Sequence, residues 1–285
     1  MIGNIKKTNE ILKKYNLRAK KGYGQNFLVD ENVLKKIVST ANITKEDGVI
    51  EIGPGIGALT EVLLQKSKKV LAYEIDSYLV DVLNDVLSEY DNLKIINKDF
   101  LEVNLDEDIL YFDDCRRIVV VSNLPYYITT PIIFKLLSET NRVEEYLLMV
   151  QKEVGLRLTS NPNTKDYNAL SVLMKYKTES NIAFEISRNC FSPIPNVDSV
   201  IIYIKRKQSD LRVKNEAKFL KFIQAIFNQR RKTMVNNINT YYHLEKEKIV
   251  DILTTLGYNS NVRSEVLSLE DIHQIYLTIF ESPQD

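Results

Sequence analysis

Hydrophobic residues recur through the first two thirds of the chain in short runs, separated by segments in which they recur at helical spacing. The runs predict strands at 49–52, 69–75, 93–98, 118–121 and 146–150. The segments between them predict helices at about 31–40, 58–64, 77–89 and 129–138. Strands that alternate with helices in this way are typical of an α/β sheet wound in parallel, which is the fold class predicted here.

The last third of the chain changes pattern near residue 210. Residues 177–186 and 199–205 still alternate as extended segments, and we expect them to be late strands of the same sheet. Beyond a polar stretch, apolar residues recur at helical spacing in the segments 219–227, 245–256 and 270–280. We therefore predict two domains, a sheet domain over residues 1–208 and a small helical domain over residues 209–285.

Composition agrees with a folded protein of about this organisation. Of the 285 residues, 44% are hydrophobic and 27% are charged, which leaves enough apolar material for a core. No stretch approaches the ~20 consecutive apolar residues that a membrane span requires, and residues 1–15 lack the apolar core of a secretory signal. We therefore expect a soluble, cytoplasmic protein with no membrane partner.

Cysteine and histidine are scarce, and their scarcity excludes several classes of enzyme. The two cysteines, Cys115 and Cys190, are far apart, so we expect buried small side chains and not metal ligands. The two histidines, His243 and His273, lie in a polar, helix-like tail without the motif of a Ser-His-Asp or Cys-His catalytic device. We expect no metal site and a chemistry that proceeds without imidazole.

Charge is balanced overall but uneven along the chain. The 38 basic and 38 acidic residues cancel, yet residues 1–28 carry seven lysines and arginines against one acid, and residues 205–235 carry ten against two. A solvated basic helix explains either segment alone, whereas two such segments around a more acidic body are typical of a protein that binds nucleic acid. Charge alone leaves both interpretations open. Under the second, the candidate nucleic-acid contacts are Lys20, Lys21, Arg230, Arg231 and Lys232.

A glycine-rich turn, Gly53–Gly57, lies between the first predicted strand of the sheet and the helix that begins near Ala58. Glycine at Gly53 and Gly55 lets the backbone turn sharply and approach a ligand, and the helix that follows presents its N-terminus to that ligand. Glu74 ends the next strand, where a carboxylate can accept both hydroxyls of a ribose. The pattern predicts a nucleotide site; the alternative is a tight connection with acids that cap strand ends.

The spacing of the glycines indicates which nucleotide is bound. The turn is G-x-G-x-G and not the G-x-G-x-x-G of dinucleotide-binding proteins. Asp99, after the third predicted strand of the sheet, can accept from an adenine amino group, and Phe100 can cover the ring. We therefore expect S-adenosylmethionine in preference to NAD.

The tetrapeptide Asn123-Leu124-Pro125-Tyr126 follows the β-branched strand and predicts the chemistry. An exocyclic adenine amine is a poor nucleophile, because its lone pair is delocalised into the ring. The Asn123 side chain and the Leu124 carbonyl can accept its two N–H bonds and turn the lone pair toward a methyl donor. Pro125 stiffens the turn and Tyr126 can stack on the base. A proline-containing turn with packing tyrosines is the alternative.

Two further segments are candidates for the same site. Phe191 opens the motif Phe191–Ser199 and can cover the base opposite Tyr126, although core packing is the alternative for this side chain. Asn26 and Leu28 can line the methionine end of the cofactor, but the residues alone do not require it.

Together these blocks resemble the ribosomal RNA adenine dimethyltransferase family, and specifically its small-subunit branch, over about residues 18–269. The segments that carry the resemblance are Gly24-Gln25-Asn26-Phe27-Leu28, Glu51-Ile52-Gly53-Pro54-Gly55, Glu74-Ile75-Asp76, Asp99, Asn123-Leu124-Pro125-Tyr126, Gln151-Lys152-Glu153-Val154, Phe191–Ser199 and the basic block Phe227–Thr233.

The resemblance implies a fold, a cofactor and a substrate. The fold is a Rossmann-like S-adenosylmethionine-dependent methyltransferase sheet with a small helical C-terminal domain that contacts RNA. Members of the branch dimethylate N6 of two adjacent adenosines in a hairpin near the 3′ end of 16S rRNA, within the immature small ribosomal subunit, and act in ribosome biogenesis. The contacts carried over to the cofactor are Asn26, Leu28, Gly53, Glu74, Asp99 and Asn123, with Tyr126 and Phe191 around the target base. We expect a monomer.

One residue departs from the family pattern, and several alternatives remain open. Many relatives have asparagine after the aromatic residue of the tetrapeptide, where this chain has Tyr127. The alternatives are a non-catalytic ribosome-assembly or RNA-binding factor, a large-subunit rRNA adenine methyltransferase of the macrolide-resistance type, a DNA adenine methyltransferase and, more distantly, an NAD-dependent dehydrogenase.

Overall fold

A computed structural model describes residues 1–17 and 26–281 of the chain. Its internal contacts divide the chain into two units, one formed by Met1–Gly155 with Asn181–Arg206 and the other by Leu156–Ser180 with Lys207–Asp285. The domain boundary predicted at residue 208 lies beside the last of these junctions. Residues 156–180, which the prediction assigned to the sheet domain, are instead grouped by their contacts with the C-terminal helices, and Tyr167, Val172 and Tyr176 belong to the core of those helices.

Nine strands are present in the described part of the chain. Their bounds are β1 Phe27–Leu28, β2 Gly48–Ile52, β3 Lys69–Glu74, β4 Leu93–Asn97, β5 Ile118–Asn123, β6 Val143–Gln151, β7 Thr178–Ile186, β8 Phe191–Ser192 and β9 Ser199–Arg206. Seven of them form one sheet in the order β4-β3-β2-β5-β6-β9-β7, and the two-residue strands β1 and β8 pair with each other. The five strands predicted from apolar runs and the two late strands are all confirmed within a few residues.

The described part of the chain also contains twelve α-helices. Their bounds are α1 Ile5–Lys14, α2 Glu31–Thr40, α3 Ala58–Lys66, α4 Ser77–Val86, α5 Leu105–Asp108, α6 Thr129–Glu139, α7 Lys152–Leu158, α8 Ala169–Lys177, α9 Glu216–Ile226, α10 Met234–Tyr242, α11 Lys246–Thr255 and α12 Leu269–Phe280. Side-chain caps explain several starts: Asp30 accepts from two backbone N–H groups at the start of α2, and Ser268 forms a capping box with Asp271 at the start of α12. Within the described residues, no helix combines the length and apolar character needed to cross a bilayer.

The sheet is doubly wound around β2. Strands β2, β3, β4, β5 and β6 pair in parallel, and β9 joins β6 antiparallel. The chain proceeds from β2 to β3 and β4 on one side, and then returns to β5 and β6 on the other. Such a reversal opens a crevice at the carboxyl ends of the two central strands, here β2 and β5, and ligands of parallel α/β sheets bind there.

Both faces of the central strands are buried, which explains why these strands are almost entirely apolar. Val49, Val70 and Val119 contribute to the core cluster on one face. The intervening Ile50 and Val120 are also fully buried. Parallel strands covered by helices on both sides have this pattern.

The C-terminal unit has a core of its own. It is built by α8–α12, and its centre is aromatic: the Phe219 ring packs edge-on against Tyr176 and Tyr276, with centroids 5.1 and 5.0 Å apart. Helices α8 and α10 were not predicted. Helix α8 buries side chains around most of its circumference, so it lacks the amphipathic period that identifies a surface helix. Helix α10 does bury one face, but its asparagines and tyrosines leave few apolar residues to mark that face in the sequence.

Candidate active site

A cleft opens at the carboxyl ends of β2, β3, β4 and β5. The backbone and side chains that line it come from the residues that directly follow these four strands, together with Asn26, Phe27 and Leu28 beside them. Its position is the switch-point crevice of the sheet, where ligands of parallel α/β sheets bind.

The glycine turn forms the floor of this cleft in a backbone conformation that favours glycine. Gly53 has a φ of +70° and Gly55 a φ of +62°, both in the left-handed region. A Cβ at Gly53 would lie 3.4 Å from the Pro125 ring, and one at Gly55 would lie 3.3 Å from the Phe27 ring. The turn thus brings its backbone close to the cleft, and α3 starts directly after it.

Glu74 ends β3 and faces back toward the glycine turn. Its Oε2 accepts a hydrogen bond from the Gly55 amide at 3.3 Å, and its Oε1 accepts one from the Asp76 amide at 3.0 Å. Burial raises the pKa of this carboxyl, and the two backbone donors oppose that rise. The side chain is 5% exposed, so it is held in place at the edge of the cleft.

Glu51 is a cleft residue that was not among the predicted contacts. It is 1% exposed, and its Oε2 has no hydrogen-bond partner among the described residues. Burial raises its pKa to about 8, the Thr60 hydroxyl opposes the rise, and the neighbouring Glu74 adds to it. A signal was present in the sequence, because an acid within an otherwise apolar strand predicts a buried carboxyl, and such groups cluster at functional sites.

Asp99 and Phe100 follow β4 and line the same cleft. The Asp99 Oδ1 accepts from the Leu101 amide at 2.9 Å, which orients the carboxyl at the start of a short 3₁₀ turn. Phe100 is 3% exposed, and its ring packs edge-on against Tyr73 with centroids 5.1 Å apart. Ile75, which was not predicted as a contact, also lines the cleft and is 43% exposed, so it offers an apolar surface for a ring.

Asn123 is the last residue of β5 and is half-buried. Its Nδ2 donates to the Asn26 carbonyl at 3.4 Å. This contact uses the donor side of the amide and leaves Oδ1 as the group that can accept from a ligand. Next to it, the Leu124 amide donates to the Met149 carbonyl at 3.1 Å, which fixes the start of the turn against β6.

Tyr126 lines the cleft and is tied to a distant segment. Its hydroxyl lies 2.8 Å from the Ser199 hydroxyl, and burial raises the pKa of the phenol. Tyr127 follows it at the cleft wall and is 52% exposed.

Phe191 is not among the residues that line the cleft, and its predicted position over the base opposite Tyr126 stays a prediction. The side chain is 2% exposed and belongs to the main core cluster, which favours the alternative of core packing. Phe191 pairs with Leu28, and Ser192 pairs with Phe27, in the short β1–β8 ladder. Its observed role is therefore to hold the strand that carries the cleft residues Phe27 and Leu28.

All the other predicted cofactor and catalytic residues meet in this one cleft. They are Asn26, Leu28, Gly53, Gly55, Glu74, Asp99, Phe100, Asn123, Leu124, Pro125 and Tyr126. Their chemistry fits S-adenosylmethionine: carboxylates suit the ribose hydroxyls and the adenine amine, and close backbone suits the methionine end. The buried Glu51 oxygen without a partner is available to accept a hydrogen bond from a ligand. Among the described residues, no group of three histidine, cysteine or acidic side chains has the arrangement of a metal site.

The predicted basic contacts fall into two groups. Lys20 and Lys21 lie outside the described residues. Arg230, Arg231 and Lys232 are exposed in the loop that leads to α10. Arg230 donates to the backbone carbonyl of Lys165 and lies 3.5 Å from the Glu265 carboxylate. Lys165, also exposed, therefore adds to this basic surface, although it lies far away in the sequence.

A family model described as ribosomal RNA adenine dimethylase matches residues 16–280. The chain belongs to this family. It is 42% identical over 288 residues to the ribosomal RNA small subunit methyltransferase A of Staphylococcus aureus (strain Newman), covering 99% of this chain and 97% of the relative. It is 46% identical over 275 residues to the protein of the same name from Bacillus cytotoxicus, covering 95% and 94%.

Solved structures agree with the fold. A dimethyladenosine transferase from Plasmodium falciparum superposes with a TM-score of 0.73 at 27% identity, over 88% of this chain and 96% of the other. The 23S rRNA methyltransferase ErmE superposes with a TM-score of 0.64 at 23% identity, over 88% and 98%, and shows the fold alone. The Rossmann-like methyltransferase fold, the methyltransferase activity and S-adenosylmethionine as methyl donor are thereby confirmed, and rRNA is the class of substrate.

Proposed function

We propose that this enzyme dimethylates N6 of two adjacent adenosines in the hairpin near the 3′ end of 16S rRNA, in the immature small ribosomal subunit, as a cytoplasmic step of ribosome biogenesis. The relatives named small subunit methyltransferase A, which match almost the whole chain, support the choice of subunit. The observation that carries the proposal is that Asn123-Leu124-Pro125-Tyr126 and the adenosine-type acids line one cleft.

The cofactor would be held by residues from four strand ends. Glu74 would accept the ribose hydroxyls, Asp99 the adenine amine, and Ile75 and Phe100 would contact the ring. The backbone at Gly53 and Gly55 would approach the methionine end, with Asn26, Leu28 and Asn123 beside it. When bound, S-adenosylmethionine supplies a methyl group on a positively charged sulfur, which is already a reactive donor.

The substrate adenine would be held by the turn after β5. The Asn123 Oδ1 and the Leu124 carbonyl would accept the two N–H bonds of the amine and so orient its lone pair. Pro125 restricts the turn, and Tyr126 would stack on the base, an interaction worth ~1–3 kcal/mol. Among the described residues that line the cleft there is no histidine. Catalysis would accordingly rest on alignment, with no strong general base.

RNA affinity would come from the basic surfaces. Arg230, Arg231, Lys232 and Lys165 would contact phosphates from the C-terminal unit, and Lys20 and Lys21 would do so from the N-terminal segment. Phosphate contacts are independent of sequence, so they would position the particle while the cleft selects the base. A base stacked in a hairpin must be turned out to enter such a cleft.

Mapping of methylated nucleotides tests the proposal. In rRNA from cells that lack the protein, two adjacent N6,N6-dimethyladenosines near the 3′ end of 16S rRNA should be absent. The wild-type chain should restore both, and Asn123→Ala should restore neither while accumulating to the same level. Persistence of both marks without the protein, or their loss from 23S rRNA instead, would contradict the assignment.

A further inference from the structure

Two exposed apolar side chains, one in the cleft lining and one in a loop connected to it, take no part in the mechanism above. Tyr127 lines the cleft and is 52% exposed, and Ile194 is 61% exposed, the largest exposure of any large apolar side chain in the described part of the chain. A large apolar group held in water at a functional site is often a contact for a ligand.

Ile194 belongs to a loop, residues 193–198, whose flanking residues contact two residues of the cleft; we refer to it as the rim loop. At its start, Ser192 pairs with the cleft residue Phe27. At its end, the Ser199 hydroxyl lies 2.8 Å from that of the cleft residue Tyr126. Both ends of the rim loop are therefore attached to the wall of the cleft.

Hydrogen bonds hold the backbone of the rim loop in place. The Asp198 carboxylate accepts from the Arg188 amide at 2.9 Å, and the Asp198 carbonyl accepts from the Lys152 amide at 3.0 Å. The Arg188 guanidinium donates to the Asn196 carbonyl at 3.4 Å. Pro193 and Pro195 flank Ile194 and restrict its backbone. Ile194 is thus presented to solvent by a fixed backbone.

Tyr127 lies in a different segment from Ile194. It is the second residue of the 3₁₀ turn Tyr126–Ile128, directly after the tyrosine that would stack on the target base. The preceding residue, Tyr126, forms a hydrogen bond with Ser199, which directly follows the rim loop. The tetrapeptide turn and the rim loop are therefore joined by one hydrogen bond. Tyr127 is exposed directly after the turn, and the rim loop exposes Ile194 and, to a smaller extent, Val197 (43% exposed).

We propose that Tyr127 and Ile194 form an apolar platform for the nucleobase adjacent to the target adenosine. The inference rests on the proposed function and deepens it. A base that leaves its stack to enter the cleft deprives its neighbour of a stacking partner, and aromatic or apolar side chains commonly replace that partner in RNA complexes. The exposed Arg188 beside the rim loop supplies positive charge for the backbone of the same RNA strand.

Steady-state methylation of undermethylated small subunits tests the platform. Tyr127→Ala and Ile194→Ala should each lower kcat/KM by roughly 5- to 100-fold, the effect of losing one stacked base. The change should appear mainly in KM, and calorimetry should give an unchanged Kd for S-adenosylmethionine. Tyr127→Phe keeps the ring and should stay within twofold of wild type.

Controls separate a platform from a structural effect. Leu110→Ala removes an equally exposed apolar side chain (59% exposed) away from the cleft and should leave KM unchanged. Thermal unfolding of every variant should match wild type, since the altered side chains are exposed. The double variant Tyr127→Ala/Ile194→Ala should cost less than the product of the single effects, because one base contacts both.

The outcomes distinguish this inference from the proposed function. If the wild-type chain transfers no methyl groups to small subunits, the proposed function is wrong, and the platform with it. If wild type is active and both alanine variants keep their KM, or if Tyr127→Phe loses as much as Tyr127→Ala, only the platform is overturned.

Discussion

The hydroxyls of Tyr126 and Ser199 lie 2.8 Å apart and join two motifs that are 73 residues distant in the sequence. Ser199, the first residue of β9, is fully buried and pairs with Gln151, the last residue of β6. The ring of Tyr126 is thereby positioned by the antiparallel edge of the sheet as well as by its own turn. A side chain with one fixed orientation can receive a base without first losing rotamer freedom.

Removal of either partner in this contact should have the same effect. Tyr126→Phe and Ser199→Ala should each lower kcat by several-fold and stability by about 1 kcal/mol, and the double variant should be no worse than either. Tyr126→Ala also loses the stacking ring and should be much less active. Methylation assays and urea unfolding of the four variants test this. Additive effects of the two single changes would show that the hydroxyls act independently.

The glycine turn should not tolerate a side chain. Gly55→Ala places a Cβ 3.3 Å from the Phe27 ring on a backbone with a φ of +62°. We expect a loss of about 1–2 kcal/mol in stability and at least a tenfold weaker Kd for S-adenosylmethionine. Gly257→Ala is the matched control, because its φ is +85° and nothing lies within 4 Å of the added atom. Calorimetric titration should show weaker binding in the first variant alone; equal Kd values for both would mean that the turn does not contact the cofactor.

Glu51 should make stability fall as the pH rises. Its ordinary pKa is 4.5, and burial raises the pKa in the folded chain to about 8. Between these values the folded chain keeps a proton that the unfolded chain releases, so the free energy of unfolding decreases by up to about 1.4 kcal/mol per pH unit from this group. Its contribution is complete below about pH 4.5 and is lost by about pH 8.

The variant Glu51→Gln has no such proton and should lose that slope. Urea unfolding of the cofactor-free protein at pH 5, 6, 7 and 8 measures the difference. Glu89→Gln, an equal change of charge at an exposed position, should keep the wild-type slope. If the free energy of unfolding depends on pH in the same way for wild type and Glu51→Gln, Glu51 is ionised in the folded protein across this range.

The exposed basic loop should act on RNA and leave cofactor binding unchanged. Replacement of Arg230, Arg231 and Lys232 by alanine should weaken subunit binding and reduce the slope of log K against log salt by roughly 0.7–0.9 for each phosphate that the loop neutralises. The control triple variant Lys221→Ala/Lys246→Ala/Lys248→Ala removes the same charge from exposed positions of α9 and α11. Subunit binding measured from 50 to 300 mM salt should show a smaller slope of log K against log salt for the loop variant than for the control variant. An equal slope for the two variants would show that the loop does not face RNA.

The central sheet and the positions of its site residues follow directly from the sequence. Each parallel strand contains a short apolar run, and the residues at its carboxyl end must meet at one edge of the sheet. Gly53, Glu74, Asp99 and Asn123 could therefore be placed together from the sequence alone. Family resemblance added Asn26 and Leu28, whose place depends on a two-residue ladder that no local pattern reveals.

Other features depend on tertiary contacts and could not be predicted for that reason. Whether Phe191 faces the cleft or the core is decided by a two-residue strand, too short for an alternating pattern. The membership of residues 156–180 in the C-terminal unit depends on packing across distant sequence, as when the Tyr167 hydroxyl donates to the Leu267 carbonyl at 3.1 Å. The position of Lys165 beside Arg230 likewise arises only in the folded chain.

The central claim is that the Asn123 side-chain oxygen holds the adenine amine in line for methyl transfer. Single-turnover methylation of undermethylated small subunits, with S-adenosylmethionine and enzyme both saturating, tests it most directly, because weaker cofactor or RNA binding then has no effect on the rate. We predict that Asn123→Ala slows the transfer by at least roughly 100-fold, as expected when a preorganised polar group is removed from a reacting centre. A rate within a few-fold of wild type would contradict the account.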